Sequence, residues 1–411
     1  HYILKEAITV GSGYNSVSGN IASTGTANSF EHIVPLYARI NSKYILQSCN
    51  ANGCTDSAEV FTSTKLAQMV DSIGYIKASN TRGSQRFGWD LTLSSDGNTL
   101  AVGGPLENGD ATGINAQEQN DTNHTSYYSG AVYVFTRTGV TWTQQAYLKA
   151  SNAEAYDYFG FTLRLSSDGN TLAVGAYNES SNATGINQDQ TDNASSDSGA
   201  VYVFTRTVDT WTQQAYVKAS NTGQGDYFGH SLTLSPDGNT LAVGAWRESS
   251  NGDQANNTLT YSGAVYVFTR AVDTWTQQAY LKASNAGGDD RFGYALALSS
   301  DGNTLAVGAN GDDSNGNQTN NSITNSGAVY VFTRTGVTWT QQAYLKASNA
   351  GENDQFGQRL DLSYDGNTLA VGALAEDSNA IGINGDQTNN TSTDSGAVYV
   401  FTRTVDTWTQ Q

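Results

Sequence analysis

One unit of sequence occurs five times in this chain, and this repetition constrains the fold more than any other feature. Phe-Gly recurs at positions 87, 159, 228, 292 and 356, with spacings of 72, 69, 64 and 64 residues. A period of this kind indicates one supersecondary unit that is copied, with neighbouring copies burying each other's apolar faces. The fold therefore has to be a repeat architecture.

Each copy has the pattern of four strands. Apolar residues alternate after the Phe-Gly, as at Phe161, Leu163 and Leu165, which is the period of a half-buried strand. Asp-Gly-Asn follows and predicts a hairpin, because Gly accepts the positive φ of a tight turn. The second strand, TLAVGA, is almost continuously apolar, and the third, SGAVYVFTR, is identical in all five copies. The fourth strand carries one Trp per copy: Trp142, Trp211, Trp275, Trp339 and Trp408.

The pattern predicts an all-β fold, a β-propeller of about five four-stranded blades preceded by a small β-sandwich-like segment. A linear solenoid is the competing architecture. The last copy stops at Gln411, before the AYLKASN segment that ends the others, and a matching segment, Tyr75–Asn80, precedes copy one. We expect that segment to complete the last blade and close the ring, which would hide both sheet edges. The start of the chain, HYILKEA, also resembles AYLKASN, so head-to-tail strand exchange between molecules is an alternative.

Residues 1–65 lack the repeat motifs and alternate strand-like runs with Gly, Ser and Asn. We expect a small β segment there, a linker at 66–74, and the repeats over 75–411. Cys49 and Cys54 bracket four residues and could close a disulfide loop, which implies an oxidising compartment; two free thiols are the alternative. Since residue 1 is His, we expect a leader to have been removed.

The repeats resemble the FG-GAP repeats of integrin-α-type propellers, because Phe-Gly opens each unit and Val-Gly-Ala closes its second strand. The resemblance covers residues 75–411 and implies an extracellular ligand-binding or adhesive propeller without catalysis. The run YILQSCNANGCTDSAEV is similar to the late strands of bacterial fibronectin type III-like modules. The Gly-Ala-Pro of the family survives only as Gly103-Gly104-Pro105.

The resemblance also implies calcium loops, but the matching stretch here has shrunk to Ser-Ser-Asp-Gly-Asn. One carboxylate cannot supply the six to eight oxygens that calcium takes. We therefore interpret these aspartates as turn residues: Asp96, Asp168, Asp237, Asp301 and Asp365.

Oxygen-rich loops follow the second strand and offer another place for calcium, with a solvated polar loop as the alternative. The candidate ligands are Glu179, Asp189, Asp197, Glu376, Asp377, Asp386 and Asp394. The same loops carry sequons that predict glycosylation where the source has the machinery. These are Asn120, Asn123, Asn178, Asn182, Asn193, Asn256, Asn317, Asn320, Asn389 and Asn390.

The formal net charge of -18 argues against nucleic acid as a partner, and no apolar run is long enough for membrane insertion. No catalytic motif is present, so we expect no enzyme and no catalytic residues. We expect a secreted protein of the cell surface. Its partner would be a protein or glycan ligand, or further copies of itself in a surface filament.

Overall fold

The structure is a computed structural model, and it describes residues 1–7, 12–22, 42–61, 75–115 and 126–411. The chain divides into two compact units, His1–Ile76 with Gly139–Thr141, and Lys77–Thr138 with Trp142–Gln411. All regular elements of the described residues are strands. The predicted linker, 66–74, lies outside the described residues.

The first unit contains one antiparallel sheet of five strands, in the order β2-β1-β3-β4 with β5 also paired to β3. The described residues here show no second sheet of a sandwich. The strands are β1 (Tyr2–Ala7), β2 (Asn15–Ser16), β3 (Lys43–Asn50), β4 (Gly53–Asp56) and β5 (Val60–Phe61). Cys49 and Cys54 lie opposite each other on β3 and β4 and form a disulfide.

The position of β1 bears on the strand-exchange alternative. Its residues pair with β2 on one side and with β3 on the other, from Tyr2 opposite Ser48 to Ala7 opposite Lys43. Exchange of the HYILKEA segment would break both sets of pairs. The structure therefore gives this segment a local role.

The second unit contains five antiparallel sheets of four strands each, one per copy of the repeat. Sheet one has β6 (Leu91–Leu93), β7 (Thr99–Gly104), β8 (Ala131–Thr138) and β9 (Thr141–Leu148). Sheet two has β10 (Thr162–Leu165), β11 (Thr171–Ala176), β12 (Ala200–Thr207) and β13 (Thr210–Val217). Sheet three has β14 (Ser231–Leu234), β15 (Thr240–Ala245), β16 (Ala264–Ala271) and β17 (Thr274–Leu281). Sheet four has β18 (Phe292–Leu298), β19 (Thr304–Ala309), β20 (Ala328–Thr335) and β21 (Thr338–Leu345). Sheet five has β22 (Phe356–Leu362), β23 (Thr368–Ala373), β24 (Ala397–Thr404) and β25 (Thr407–Gln410).

Consecutive sheets pack face to face in the same way four times. In one example, Val201 and Val203 of sheet two share a cluster with Leu232 of sheet three. Both valines are fully buried, although their strand belongs to the preceding copy. Each of the three inner sheets thus buries one apolar face on the copy before it and the other on the copy after it.

The Phe-Gly and Val-Gly motifs meet between neighbouring sheets. A Cβ atom added to Gly244 would lie 2.1 Å from the carbonyl oxygen of Gly293, and one added to Gly175 would lie 2.2 Å from that of Gly229. No side chain fits at such a distance, so glycine is needed for the two backbones to touch. The motif that identifies the repeat is therefore the contact that stacks the sheets.

The stack has two uncovered end faces, and the described residues do not close a ring. Leu91 and Leu93 of sheet one are 59% and 50% exposed, whereas the matching Leu163 and Leu165 are 0% and 9% exposed. On sheet five, Val398 is 71% exposed, in the place of the fully buried Val201. The expected closure by Tyr75–Asn80 is not seen, since sheet five consists of β22–β25.

We expect Gly244→Ala to lower the free energy of unfolding by about 1–3 kcal/mol, because the added methyl group forces two backbones apart. Urea unfolding followed by tryptophan fluorescence would measure the change. Gly83→Ala is the control, since a Cβ there meets nothing within 4 Å. Equal stability of the two variants would contradict the close packing of sheets.

Candidate functional site

The two ends of each sheet differ in chemistry. The Asp-Gly-Asn turns between the first and second strands lie at one end, opposite the end where Leu91 pairs with Val102. At that second end the Phe-Gly segment enters the sheet, and the long polar loop leaves the second strand. We call this end the mouth, and define it by three positions in each copy.

The mouth positions are the residue before Phe-Gly, the residue after Phe-Gly, and the residue after the second strand. Side chains differ widely there, although the strands beside them are nearly identical between copies. The first position is Arg86, Tyr158, Tyr227, Arg291 and Gln355, and all five have positive φ. The second is Trp89, Phe161, His230, Tyr294 and Gln358, and the third is Pro105, Tyr177, Trp246, Asn310 and Leu374.

Four rings from consecutive copies form a continuous aromatic row, which consists of Trp89, Phe161, His230 and Tyr294. The centroid distances along the row are 5.4, 5.3 and 5.2 Å. Gln358 extends it into the fifth copy by donating from Nε2 to the Tyr294 hydroxyl at 3.4 Å. All five copies therefore contribute to one surface.

A pocket of about 560 Å³ lies against this row and is lined by the first strands of all five sheets. Asp90 is the only carboxylate of its lining, and Arg164 and Arg359 are its cations. Asp90 accepts from the backbone N–H of Leu163 at 2.8 Å and pairs with Arg164 at 3.3 Å. A concave site with aromatic walls and a few convergent polar groups is the usual form of a ligand pocket.

Trp246 is the centre of a second group of rings that joins the row. Its centroid lies 5.8 Å from that of His230 and 5.7 Å from that of Tyr294. The Arg247 guanidinium lies over the Tyr227, Trp246 and Tyr261 rings at 4.6, 4.9 and 4.8 Å. Four buried polar atoms here have no hydrogen-bond partner: His230 Nδ1, Trp246 Nε1, Arg247 Nε and Arg291 Nε.

His230 is neutral in this environment at physiological pH. Burial lowers its pKa to about 4, and the positive charge of Arg359 acts in the same direction. A neutral imidazole has one nitrogen that donates and one that accepts. It therefore serves as a flat, uncharged member of the aromatic row.

In copies two to five, a buried aspartate lies two residues before Phe-Gly and directly before the first mouth position. Asp226 accepts from the backbone N–H of Gly223 at 2.8 Å, and Asp157, Asp290 and Asp354 make the same bond. Burial raises the pKa of Asp157 to about 8 and that of Asp226 and Asp290 to about 7. These groups hold the turn that presents the positive-φ residue at the mouth.

Two of the predicted calcium ligands, Glu179 and Glu376, are buried between strands. Glu179 pairs with Lys218 Nζ of its own copy at 2.8 Å and accepts from Asn152 Nδ2 of the preceding copy at 2.9 Å, so two consecutive copies meet at one carboxylate. The same ion pair recurs as Lys149–Glu107, Lys282–Glu248 and Lys346–Asp312. Glu376 accepts from Asn349 and Ser378. The structure thus gives Glu179 a role in joining the copies.

The other predicted calcium ligands lie in separate turns. Asp189 and Asp386 each accept from the backbone and hydroxyl of the threonine two residues later. Asp377 accepts from the backbone N–H of Asp394, and Asp197 has a φ of 57°. No group of three or more His, Cys, Asp or Glu side chains that could hold a metal ion occurs among the described residues. Calcium binding stays a prediction.

The Asp-Gly-Asn aspartates act as turn residues, as interpreted from the sequence. Asp168 accepts from Ser166 Oγ at 2.5 Å and from the backbone N–H of Asn170 at 3.0 Å. In Asp96 the matching hydrogen bonds, led by that from Ser94, lower the pKa to about 2.

The sequons of the described residues lie in the loops at the mouth end. Asn182, Asn193, Asn317, Asn320, Asn389 and Asn390 are exposed, whereas Asn178 and Asn256 are half-buried. Asn120 and Asn123 lie outside the described residues. Glycosylation stays a prediction for all ten.

The mouth has a sequence signal that is not a motif, namely variation between the copies at a few positions. Three positions per copy change between aromatic, basic, amide and aliphatic residues, while the second and third strands stay nearly constant. Variation of this kind within an otherwise uniform repeat marks the positions that packing leaves free. Only the contacts between side chains of neighbouring copies show that these positions form one surface.

Comparison with known families identifies the repeat. The model described as FG-GAP repeat matches residues 142–204, 211–268, 275–332 and 339–401. No curated protein matches the chain.

Solved structures that are similar include three proteins of low identity. A provisionally assigned 6-phosphogluconolactonase of Bacteroides uniformis is 12% identical, with a TM-score of 0.41 over 79% of this chain and 70% of that one. Saccharomyces cerevisiae Sqt1 is 11% identical, with a TM-score of 0.41 over 72% and 59%. The periplasmic gluconolactonase PpgL of Pseudomonas aeruginosa is 14% identical, with a TM-score of 0.35 over 88% of each chain.

These structures correct the expectation that the chain is not an enzyme. Two of the three are named as lactonases, so that exclusion does not hold. At this identity and these TM-scores, the likeness assigns no activity to the chain. Within the described part of the chain, no helix is long and apolar enough to cross a membrane.

We expect the melting temperature to fall by a few degrees between pH 5 and pH 8, because Asp157, Asp226 and Asp290 have raised pKa values. A raised carboxyl pKa gives stability that is present below the unfolded value and lost as the pH rises through about 7. Asp226→Asn should lose less stability than the parent protein between pH 5 and pH 8, because an amide does not ionise. Calorimetry across this range would measure both, and parallel profiles would contradict the assignment.

Proposed function

We propose that this chain, which belongs to the FG-GAP repeat family, is a β-propeller binding protein that holds its ligand at the mouth. The aromatic row carries this proposal. Its rings are only partly buried, and Trp89 is 46% exposed, although large apolar side chains elsewhere in the repeats are mostly covered. Exposed aromatic surface beside a pocket is typical of binding sites, since rings give large contact area at low entropic cost.

The stacked sheets support the row in the way that a binding site requires. Phe161, His230 and Tyr294 each follow a glycine that packs against the backbone of the preceding copy, so the core fixes the Cα positions of these three rings. A preorganised surface loses less entropy when it binds a ligand. We further propose that the protein works outside the cell, and the Cys49–Cys54 disulfide supports that location because such bonds persist in oxidising compartments.

We expect Tyr294→Ala to weaken binding about ten-fold, because it removes a ring from the row. The protein would be screened on a glycan array and against extracellular matrix proteins, with affinities of the hits measured by calorimetry. Tyr364→Ala is the matched control, since Tyr364 is 78% exposed and lies at the Asp-Gly-Asn end. Hits that bind the two variants equally well would contradict a site at the mouth.

Self-association is the second candidate, and the two uncovered end faces favour it. The face of sheet five with Val398 and Val400 and the face of sheet one with Leu91 and Leu93 are the two halves of an interface that forms four times inside the chain. A second copy could pack one on the other, and repetition would give a head-to-tail filament.

Charge complementarity supports the same contact. Glu376 is 2% exposed and, unlike Glu179, has no lysine partner among the described residues. Lys77 matches Lys149 in the repeat and is exposed. If sheet one of a second copy packed on sheet five, Lys77 would approach Glu376 as Lys149 approaches Glu107.

We expect this chain to sediment as oligomers at micromolar concentrations, and Val398→Lys to be monomeric because the added charge would be buried at the contact. Val337→Lys is the control, since Val337 is 72% exposed in a hairpin turn away from the face. A monomeric parent protein would rule out this candidate. The end faces would then have to be covered by further repeats or by closure within one molecule.

A further inference from the structure

Arginine is concentrated at the mouth of a chain that is strongly acidic elsewhere. The chain has 20 Lys and Arg against 38 Asp and Glu, yet each copy of the repeat contributes one arginine to the mouth or the pocket beside it. They are Arg86, Arg164, Arg247, Arg291 and Arg359. In the pocket lining, two of these arginines, Arg164 and Arg359, accompany a single carboxylate, that of Asp90.

The arginine near the end of the third strand in each copy has a structural role, and its contacts can be compared with those of the mouth arginines. Arg206, at the Asp-Gly-Asn end, donates to Asn170, Gln145 and Thr99 at 3.0, 3.0 and 3.1 Å. Arg270 makes the same three bonds in the next copy. Structural arginines of this protein therefore have their donors satisfied by side chains of neighbouring copies.

The mouth arginines Arg247 and Arg291 differ, since the Nε of each is buried without a hydrogen-bond partner. They are held by ring contacts instead, and Arg291 lies 5.7 Å from the Trp246 centroid. A buried unsatisfied donor costs free energy, and such groups gather where a ligand supplies the missing acceptor. Guanidinium groups pair best with carboxylates, which accept two parallel hydrogen bonds.

The neighbouring unpartnered atoms belong to rings. Trp246 Nε1 can only donate, and His230 Nδ1 can donate or accept according to its tautomer. The same side chains present flat apolar faces along the aromatic row. A ligand that satisfies all of them needs apolar faces repeated along its length, hydroxyl groups at its edges and carboxylates at intervals.

We propose that the mouth binds an acidic oligosaccharide, a chain of sugar rings that carries uronic acid carboxylates. Its rings stack on Phe161, His230 and Tyr294, and its carboxylates pair with Arg247 and Arg291. This inference rests on the proposed function and names the ligand class of that same site. Salt at physiological strength screens charges that lie more than about 8 Å away, so the arginines in direct contact with the ligand contribute most of the attraction.

The probes are a hexamer of galacturonic acid and the same hexamer with its carboxyl groups reduced to alcohols. We expect calorimetry to show binding of the acid, at least ten-fold weaker binding of the reduced sugar, and quenching of tryptophan fluorescence by the acid. Affinity for the acid should also fall as salt is raised. Because the reduced probe is used with the unaltered protein, this comparison does not depend on any variant folding.

Arg291→Gln should weaken binding of the acid at least ten-fold and leave that of the reduced sugar unchanged. Arg137→Gln is the matched control, because Arg137 stacks on Trp142 and bonds to Asn98 at the opposite end. If both sugars bind equally well and Tyr294→Ala abolishes the binding, the ligand is not selected for its carboxylates. That result would overturn this inference, while the proposed function would stand. Binding of the acid that is unchanged in both Arg291→Gln and Tyr294→Ala would overturn both. Failure of both sugars to bind would overturn this inference alone.

Discussion

The architecture depends on direct contact between the backbones of neighbouring sheets. At each junction a glycine of the second strand meets the glycine of the next Phe-Gly, as Gly175 meets Gly229. No larger residue fits, so the distance between sheets is set by the chain itself and is the same at successive junctions. Constant spacing is what allows nearly identical sequences to pack in identical environments.

Buried polar groups fix the register between neighbouring copies. A carboxylate such as Glu179 is reached by Asn152 from the preceding segment and by Lys218 from the following one. An ion pair buried to this degree is a weak source of stability, but one left without its partner is costly. The network therefore penalises any arrangement in which neighbouring copies are shifted along each other, which apolar packing between uniform repeats would tolerate.

Uniform packing also explains where the protein can vary. Core positions contact two neighbours that are themselves copies, so a change in one copy has to fit its counterparts in the others. The mouth positions lie outside this requirement, and copies one to four have placed aromatic and basic residues there. Trp246 and Tyr294 belong to different copies, yet their rings lie 5.7 Å apart on a surface that no single copy could form. In each repeat, the core positions thus determine the fold, and the mouth positions are free to determine what is bound.

The sequence by itself determined the strands, the hairpin turns and the family, because each depends on patterns within a few residues. The alternation at Phe161–Leu165 and the turn at Asp168 needed no knowledge of distant contacts. Tertiary structure decided the rest. The sequence presented Glu179 as an oxygen ligand in a polar loop, and only the packed sheets showed that Lys218 pairs with it. The aromatic row and the uncovered end faces could not be predicted either. They depend on contacts between residues of different copies, which no pattern within one copy encodes.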